Sequence, residues 1–225
     1  MILQYYGLSF FRAQGNQSDV SVVFDPFDQN SGWRLPRPSA DIVLSSDPTV
    51  KTSALSVKSR AMPAGRQEGS APFFITSPGE YEVKGVFAYG INAPKKAGGK
   101  RGSDAGCVIY VVGIDDVYVG HLGTLDRSLT EHELDALGRV DVLLLPVGGG
   151  ASLDPRTAID VITQVEPRIV VPMMYKLAGV KTDLRGADDF LKEYGVKDVQ
   201  REDKIKVLKK DLPAQETKVI MLNPI

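Results

Sequence analysis

Two histidines, His121 and His132, and one cysteine, Cys107, are the nitrogen and sulfur donors that this chain of 225 residues offers to a transition metal. Catalytic zinc takes about three protein ligands and keeps a position open for the water it acidifies. A zinc site built from nitrogen and sulfur would therefore use nearly all of them. Each has a plainer reading. His132 falls in the first turn of an expected helix, at the surface. Cys107 leads an apolar strand and reads as a small buried hydrophobe, with no histidine or acid at a spacing that would make it or a serine a nucleophile. His121 is expected to hydrogen-bond among strand ends. Asp25, Asp47, Asp126 and Tyr175 complete the candidates for chemistry, and carboxylates hold Mg²⁺ or Mn²⁺ more readily than zinc. Gly148-Gly149-Gly150 joins a buried strand to a helix but lacks the GK[ST] ending of a phosphate loop and the GxGxxG spacing of a dinucleotide site. Glu80 and Glu82 alternate on one strand face beside a tight turn and are expected to be structural.

The composition bounds what can position these groups. With 43% hydrophobic and 24% charged residues the chain can bury enough surface to fold, which excludes disorder. Its longest apolar runs, such as Val142-Leu143-Leu144-Leu145-Pro146-Val147, are strand-sized, far short of the ~20 residues of a spanning helix. Met1-Ile2-Leu3-Gln4-Tyr5-Tyr6 carries neither the basic region nor the cleavage site of a signal peptide. The lone cysteine favours a reducing compartment, so a cytoplasmic location is expected. A net charge of -1 gives no general pull toward nucleic acid. The charge is uneven, however: residues 48–102 hold nine cations against three anions, so this segment is +6 and the remainder -7. Its run Lys95-Lys96-Ala97-Gly98-Gly99-Lys100-Arg101-Gly102 reads as a solvated loop without the aromatic interleaving of a nucleic-acid binder.

The first half is β-rich and the second alternates helix and strand. Apolar or alternating runs predict strands over residues 2–12, 21–24, 41–45, 73–76, 81–89, 107–112 and 117–122, with loop over 46–71. Thr130-Glu131-His132-Glu133 is a capping box that opens a helix ending near Gly138. Asp154-Pro155 places an N-cap before a proline at the first helical position, and Ala158, Ile159, Ile162 and Val165 form the apolar face of that helix. A third helix over 187–194 stops at Gly195. Buried strands are expected at 141–147 and 168–172, with two terminal ones near 205–208 and 218–222. The order, a β-meander followed by αβ units, predicts one compact domain over residues 1–225.

In sequence, Gly7-Leu8-Ser9-Phe10, Val23-Phe24-Asp25-Pro26, Ala40-Asp41-Ile42-Val43-Leu44-Ser45, Ser77-Pro78-Gly79-Glu80-Tyr81, His121-Leu122-Gly123, Val140-Asp141-Val142-Leu143-Leu144-Leu145-Pro146-Val147-Gly148-Gly149 and Ile169-Val170-Val171-Pro172-Met173-Met174-Tyr175 resemble the metallo-β-lactamase superfamily, in its lactonase-like branch of bacterial Zn-dependent hydrolases. The resemblance implies an α/β fold, a four-layer αββα sandwich with the site at its edge. It also exposes departures. Where the family carries HxHxDH, this chain reads Ser46-Asp47-Pro48-Thr49-Val50-Lys51, so the ligand positions hold Ser46, Pro48, Val50 and Lys51. Thr124 replaces the bridging aspartate, Arg127 a histidine found in some relatives, and Met174 the final histidine. Together these departures lead to the expectation of a metal-free, catalytically inactive member without a cofactor. Such a chain would serve as a binding or assembly subunit, a homo-oligomer or a heteromer with an active paralogue. Lys51, Lys95, Arg127 and Lys176 are the candidates for a cationic cleft that holds a small anionic ligand. The alternative is a hydrolase of the superfamily with a relocated or non-zinc metal site.

Overall fold

The structure, a computed structural model, describes residues 1–27, 37–55, 57–59, 71–96, 106–180 and 183–225. The chain opens with the hairpin β1 (Ile2–Gly7) and β2 (Phe10–Gln14), followed by β3 (Ser21–Phe24), β4 (Ser39–Ala40), β5 (Ile42–Leu44), β6 (Lys58–Ser59) and β7 (Phe73–Ile75). A second meander follows: β8 (Gly79–Val83), β9 (Val86–Ala93), β10 (Cys107–Ile114) and β11 (Val117–His121). The αβ half comprises α1 (Glu131–Leu137), β12 (Val142–Pro146), α2 (Pro155–Val165), β13 (Ile169–Met173), α3 (Ala187–Tyr194), β14 (Gln200–Glu202), β15 (Lys204–Lys206) and β16 (Lys218–Leu222).

Two of the expected strands are each two strands. Residues 2–12 break at Gly7 and Leu8, and residues 81–89 break at Lys84 and Gly85, all four with positive φ. The reversals put Tyr5 onto Phe11, with ring centroids 4.7 Å apart, and pair Glu82 with Phe87. The sheets run β15-β1-β2-β3-β5-β7 and β14-β16-β13-β12-β11-β10-β9-β8. Strands β11, β12, β13 and β16 are parallel, because α1 and α2 carry the chain back over the sheet between them. Inward residues of both sheets, among them Phe24, Leu44, Ile109, Val119 and Leu144, share one buried cluster that also takes in the apolar sides of the helices. A large side chain buried in this way stabilises the fold by roughly 1.5–3 kcal/mol. Along α2 the buried positions are Pro155, Ala158, Val161 and Ile162, while Ile159 and Val165 are half-buried, so the face is rotated from the expected one. Among the described residues no helix is long and apolar enough to cross a membrane. Of the basic run, Lys95 and Lys96 are described, and residues 97–102 lie outside the described residues.

Two polar anchors hold the helical half. Thr130 accepts from the Glu133 amide, and Glu133 Oε2 accepts from the Thr130 amide, completing the capping box. Glu133 also takes a bidentate pair from Arg127, at 2.8 and 2.6 Å, with its side chain 4% exposed. Burial pushes the Glu133 carboxyl up, but the Arg127 and Thr130 hydrogen bonds outweigh it and hold the group below its ordinary value of 4.5. At the foot of β12, buried Asp141 accepts from the Tyr118 amide, the Arg139 guanidinium and the Lys209 ammonium. Its carbonyl takes the Arg168 and Ile169 amides.

Removing either carboxylate strands its partners. Glu133→Gln is expected to lower stability by about 1–3 kcal/mol at neutral pH. Because the folded carboxyl is depressed, this contribution is present above the unfolded value and is lost as pH falls through the folded one. The gap between wild type and variant in urea melts should therefore close toward low pH. Asp141→Ala is expected to cost about 2–4 kcal/mol by the same measurement, and Asp141→Asn less, since the amide oxygen still accepts from Tyr118.

Candidate active site

The strand ends of both sheets meet at one edge. Asp25 follows β3, Ser46 follows β5 by two residues, His121 ends β11 and Met174 follows β13. The Asp25 carboxylate accepts from the Ser46 amide at 2.5 Å on Oδ1 and from the Ser46 hydroxyl at 2.6 Å on Oδ2. Ser46 is buried, and the Asp25 side chain keeps 10% of its exposure. Through its carbonyl Ser46 accepts from the Val108 amide of the other sheet. Gly123, with φ +53°, presses its backbone onto Ser46 and Cys107, where a Cβ would collide with both.

His121 lies flat on Phe24, with ring centroids 5.2 Å apart, and edge-on to Phe11. Its Nε2 is 2.9 Å from the Ser9 carbonyl and 3.8 Å from Asp25 Oδ2, and its Nδ1 accepts from the Gly123 amide at 3.2 Å. These contacts assign the ring proton to Nε2 and occupy the Nδ1 lone pair. Burial pushes the Cys107 thiol up to about 11; Thr124 and Lys95 pull against that and Asp25 adds to it, so the sulfur is a neutral thiol.

The other sequence candidates scatter. Pro48 and Lys51 are exposed, and Val50 packs into a small apolar cluster with Tyr6, Phe10 and Val43. Thr124 sits beside Cys107. Arg127 is spent on Glu133 and on the carbonyls of Pro94 and Ser128. Of the remaining cations, Lys95 is half-buried near Cys107, while Lys176 is exposed. Met174 is half-buried at φ +53°, its amide bonded to the Leu8 carbonyl. Asp47 caps Thr49, Asp126 accepts from the Lys96 amide, and Tyr175 turns into the core toward the Leu222 carbonyl. His132 is exposed, and Glu80 and Glu82 are exposed on β8. The structure therefore brings together Asp25, Ser46, Cys107, His121 and Thr124. Sequence reasoning missed the β1–β2 turn, whose Ser9 carbonyl holds His121. The signal for Asp25 was present, an acid closing the apolar strand Val22-Val23-Phe24.

The chain matches the family described as the beta-lactamase superfamily domain over residues 2–174. A relative from Anaeromyxobacter dehalogenans (strain 2CP-C), named a UPF0173 metal-dependent hydrolase, is 36% identical over 110 residues, 47% of this chain and 39% of that protein. Another of that name from Pyrococcus horikoshii is 34% identical over 98 residues, 43% of this chain and 44% of its own. The matched stretch thus spans about two fifths of these relatives. A solved structure from Thermotoga maritima, described as a candidate Zn-dependent hydrolase of the metallo-beta-lactamase superfamily, superposes with a TM-score of 0.76 at 26% identity, over 98% of this chain and 97% of that one. These hydrolase relatives overturn the expectation of a metal-free, inactive subunit. The expectation counted the loss of nitrogen ligands as the loss of hydrolysis, whereas a hydrolytic centre needs an activated water and a group that stabilises charge, which oxygen donors also supply. The mixed α/β fold, the ordered strand-end motifs and the family match over most of the chain agree: the chain belongs to the metallo-β-lactamase superfamily.

Proposed function

We propose that the chain is a hydrolase of this superfamily, with its chemistry at the strand ends around Asp25 and Ser46. The observation that carries this reading is where backbone strain sits. Asp25 and Met174 hold φ of +44° and +53° at strand ends that no hairpin follows, and Asp25 itself carries the carboxylate of the carboxylate–hydroxyl pair. A non-glycine residue in the left-handed region costs on the order of 1–2 kcal/mol, and such strain collects at sites of binding and catalysis. The hydrolase names of the relatives support the same reading.

The zinc that the superfamily implies does not fit these residues. Both His121 nitrogens are engaged, the Cys107 sulfur is protonated, and among the described residues no three His, Cys, Asp or Glu side chains group as metal ligands. What the chain itself supplies is a proton acceptor, Asp25 Oδ2, which already accepts a hydrogen bond from the Ser46 hydroxyl, with the two oxygens 2.6 Å apart. A water that bridges this pair would be oriented by Ser46 Oγ and would lose its proton to Asp25, as general-base hydrolysis requires. His121, on the opposite sheet, places its Nε2 3.8 Å from that carboxylate oxygen. The buried free thiol of Cys107 is consistent with a cytoplasmic location.

The test is turnover of a panel of chromogenic esters, lactones and amides by the purified chain, with Mg²⁺, Mn²⁺ or Zn²⁺ and after chelation. At least one substrate class should be hydrolysed under one of these conditions, at a rate that depends on the Asp25 carboxylate. Asp25→Asn should lower kcat/KM by about 100-fold or more, and Ser46→Ala by about 10-fold, with circular dichroism unchanged. No turnover under any condition, or full activity in Asp25→Asn, would overturn the proposal.

A further inference from the structure

The outer face of the second sheet carries a pattern unrelated to the strand-end site. The registers place Glu82 on β8 opposite Phe87 on β9, Phe87 opposite Gly113 on β10, and Gly113 opposite Tyr118 on β11. Directly opposed residues share a face, so these four form a row across the sheet. The row continues to the foot of β12, where Lys209 stands 5.8 Å over the Tyr118 ring and, with Arg139, flanks Asp141. Phe87 is 43% exposed and Tyr118 36%, and the two lie on either side of Gly113 as one exposed aromatic patch. They floor a cleft of about 270 Å³ walled by Ala136 and Leu137 of α1.

The order of this row is acid, aromatic, glycine, aromatic, base, and it is symmetric about β10. Glu82 lies two strands to one side and the basic group two strands to the other. At about 4.8 Å per strand, each flank is about 10 Å from Gly113. The acidic flank has Glu80 as well as Glu82, and the opposite flank has two cations on a single carboxylate. A two-fold axis along β10 would exchange the flanks. It would set Glu82 of one copy against Lys209 of the other, and bring together near the axis the two Tyr118 rings, each of which lies over its own Gly113.

We propose that this face is the interface of a homodimer, and that its occupant is a second copy of the same chain. Self-complementary charge around an apolar centre is what an isologous contact requires. The proposal does not depend on the hydrolase reading, because no residue of the row belongs to the strand-end site.

Sedimentation of the full chain at tens of micromolar tests it. The mass should be twice 24.4 kDa. Phe87→Ser and Glu82→Lys should each weaken the dimer by about 10-fold or more with melting temperature nearly unchanged, as both positions are exposed. In a mixture of ¹⁴N- and ¹⁵N-labelled chains, zero-length carbodiimide coupling should yield mixed-isotope peptides that join Glu82 to Lys209. A monomer throughout the concentration range would overturn the proposal. So would a dimer indifferent to both substitutions and without the Glu82–Lys209 link, which would place the contact elsewhere, and so would a monomer whose cleft takes up an apolar dye in a Phe87-dependent way.

Discussion

The bond from Ser46 to Asp25 is the constraint on which the strand-end region rests. It joins the ends of two neighbouring parallel strands, β3 and β5, by two hydrogen bonds to one carboxylate. Each is charge-assisted and so worth about 1.5–3 kcal/mol, more than an ordinary amide pair. Once Ser46 is fixed, its carbonyl catches Val108 and its side chain receives the backbone of Gly123, which fastens the second sheet to the first. His121 is then confined between Phe24, the Ser9 carbonyl and the Gly123 amide. The sheets are therefore joined at this edge by polar contacts as well as by the apolar core.

That arrangement explains why much of the fold was legible and the site less so. The capping box at Thr130, the Asp154-Pro155 helix start and the Gly195 stop are decided within a few residues, and all three occur as the sequence predicts. The strands expected over 107–112 and 117–122 also form, with the first running on to Ile114 so that the turn between them narrows to Asp115-Asp116. The turns at Leu8 and Lys84 were not legible, because neither residue advertises a left-handed backbone and the flanking runs are continuously apolar or alternating. Ser46 illustrates the harder case. Read along the chain, it is a ligand position without a ligand. Its bond to a carboxylate 21 residues earlier depends on the parallel pairing of β3 with β5, which no local pattern specifies.

Charge shows the same difference between local and tertiary information. The four cations expected to converge on an anion do not act together. Arg127 completes the α1 anchor, Lys51 and Lys176 are exposed, and Lys95 is near the Cys107 thiol. A guanidinium held by a buried bidentate carboxylate is a poor ligand for a further anion, since the new contact would compete with two short hydrogen bonds already made. The strand-end cluster is therefore organised around a negative group, Asp25, which suits it to accept a proton rather than to capture an anion.

The distribution of strain separates this edge from the rest of the molecule. At Lys84 and Asp115-Asp116, positive φ serves two-residue hairpin turns, where it matches the twist of the flanking strands; at Leu8 and Asp19 it serves the turns that join β1, β2 and β3, and at Glu166 it ends α2. At Asp25 and Met174 no hairpin requires it. Each of these residues follows a strand of a parallel pair: Asp25 meets Ser46 of its own sheet and approaches His121 of the other, while Met174 gives its amide to Leu8 across the two sheets. A relaxed backbone at either position would carry the chain away from the edge. At Met174 the unfavourable conformation is thus offset by a hydrogen bond that exists only when both sheets are in place, and at Asp25 by the two bonds that tie β3 to β5, which couples the strand-end geometry to the packing of the sandwich.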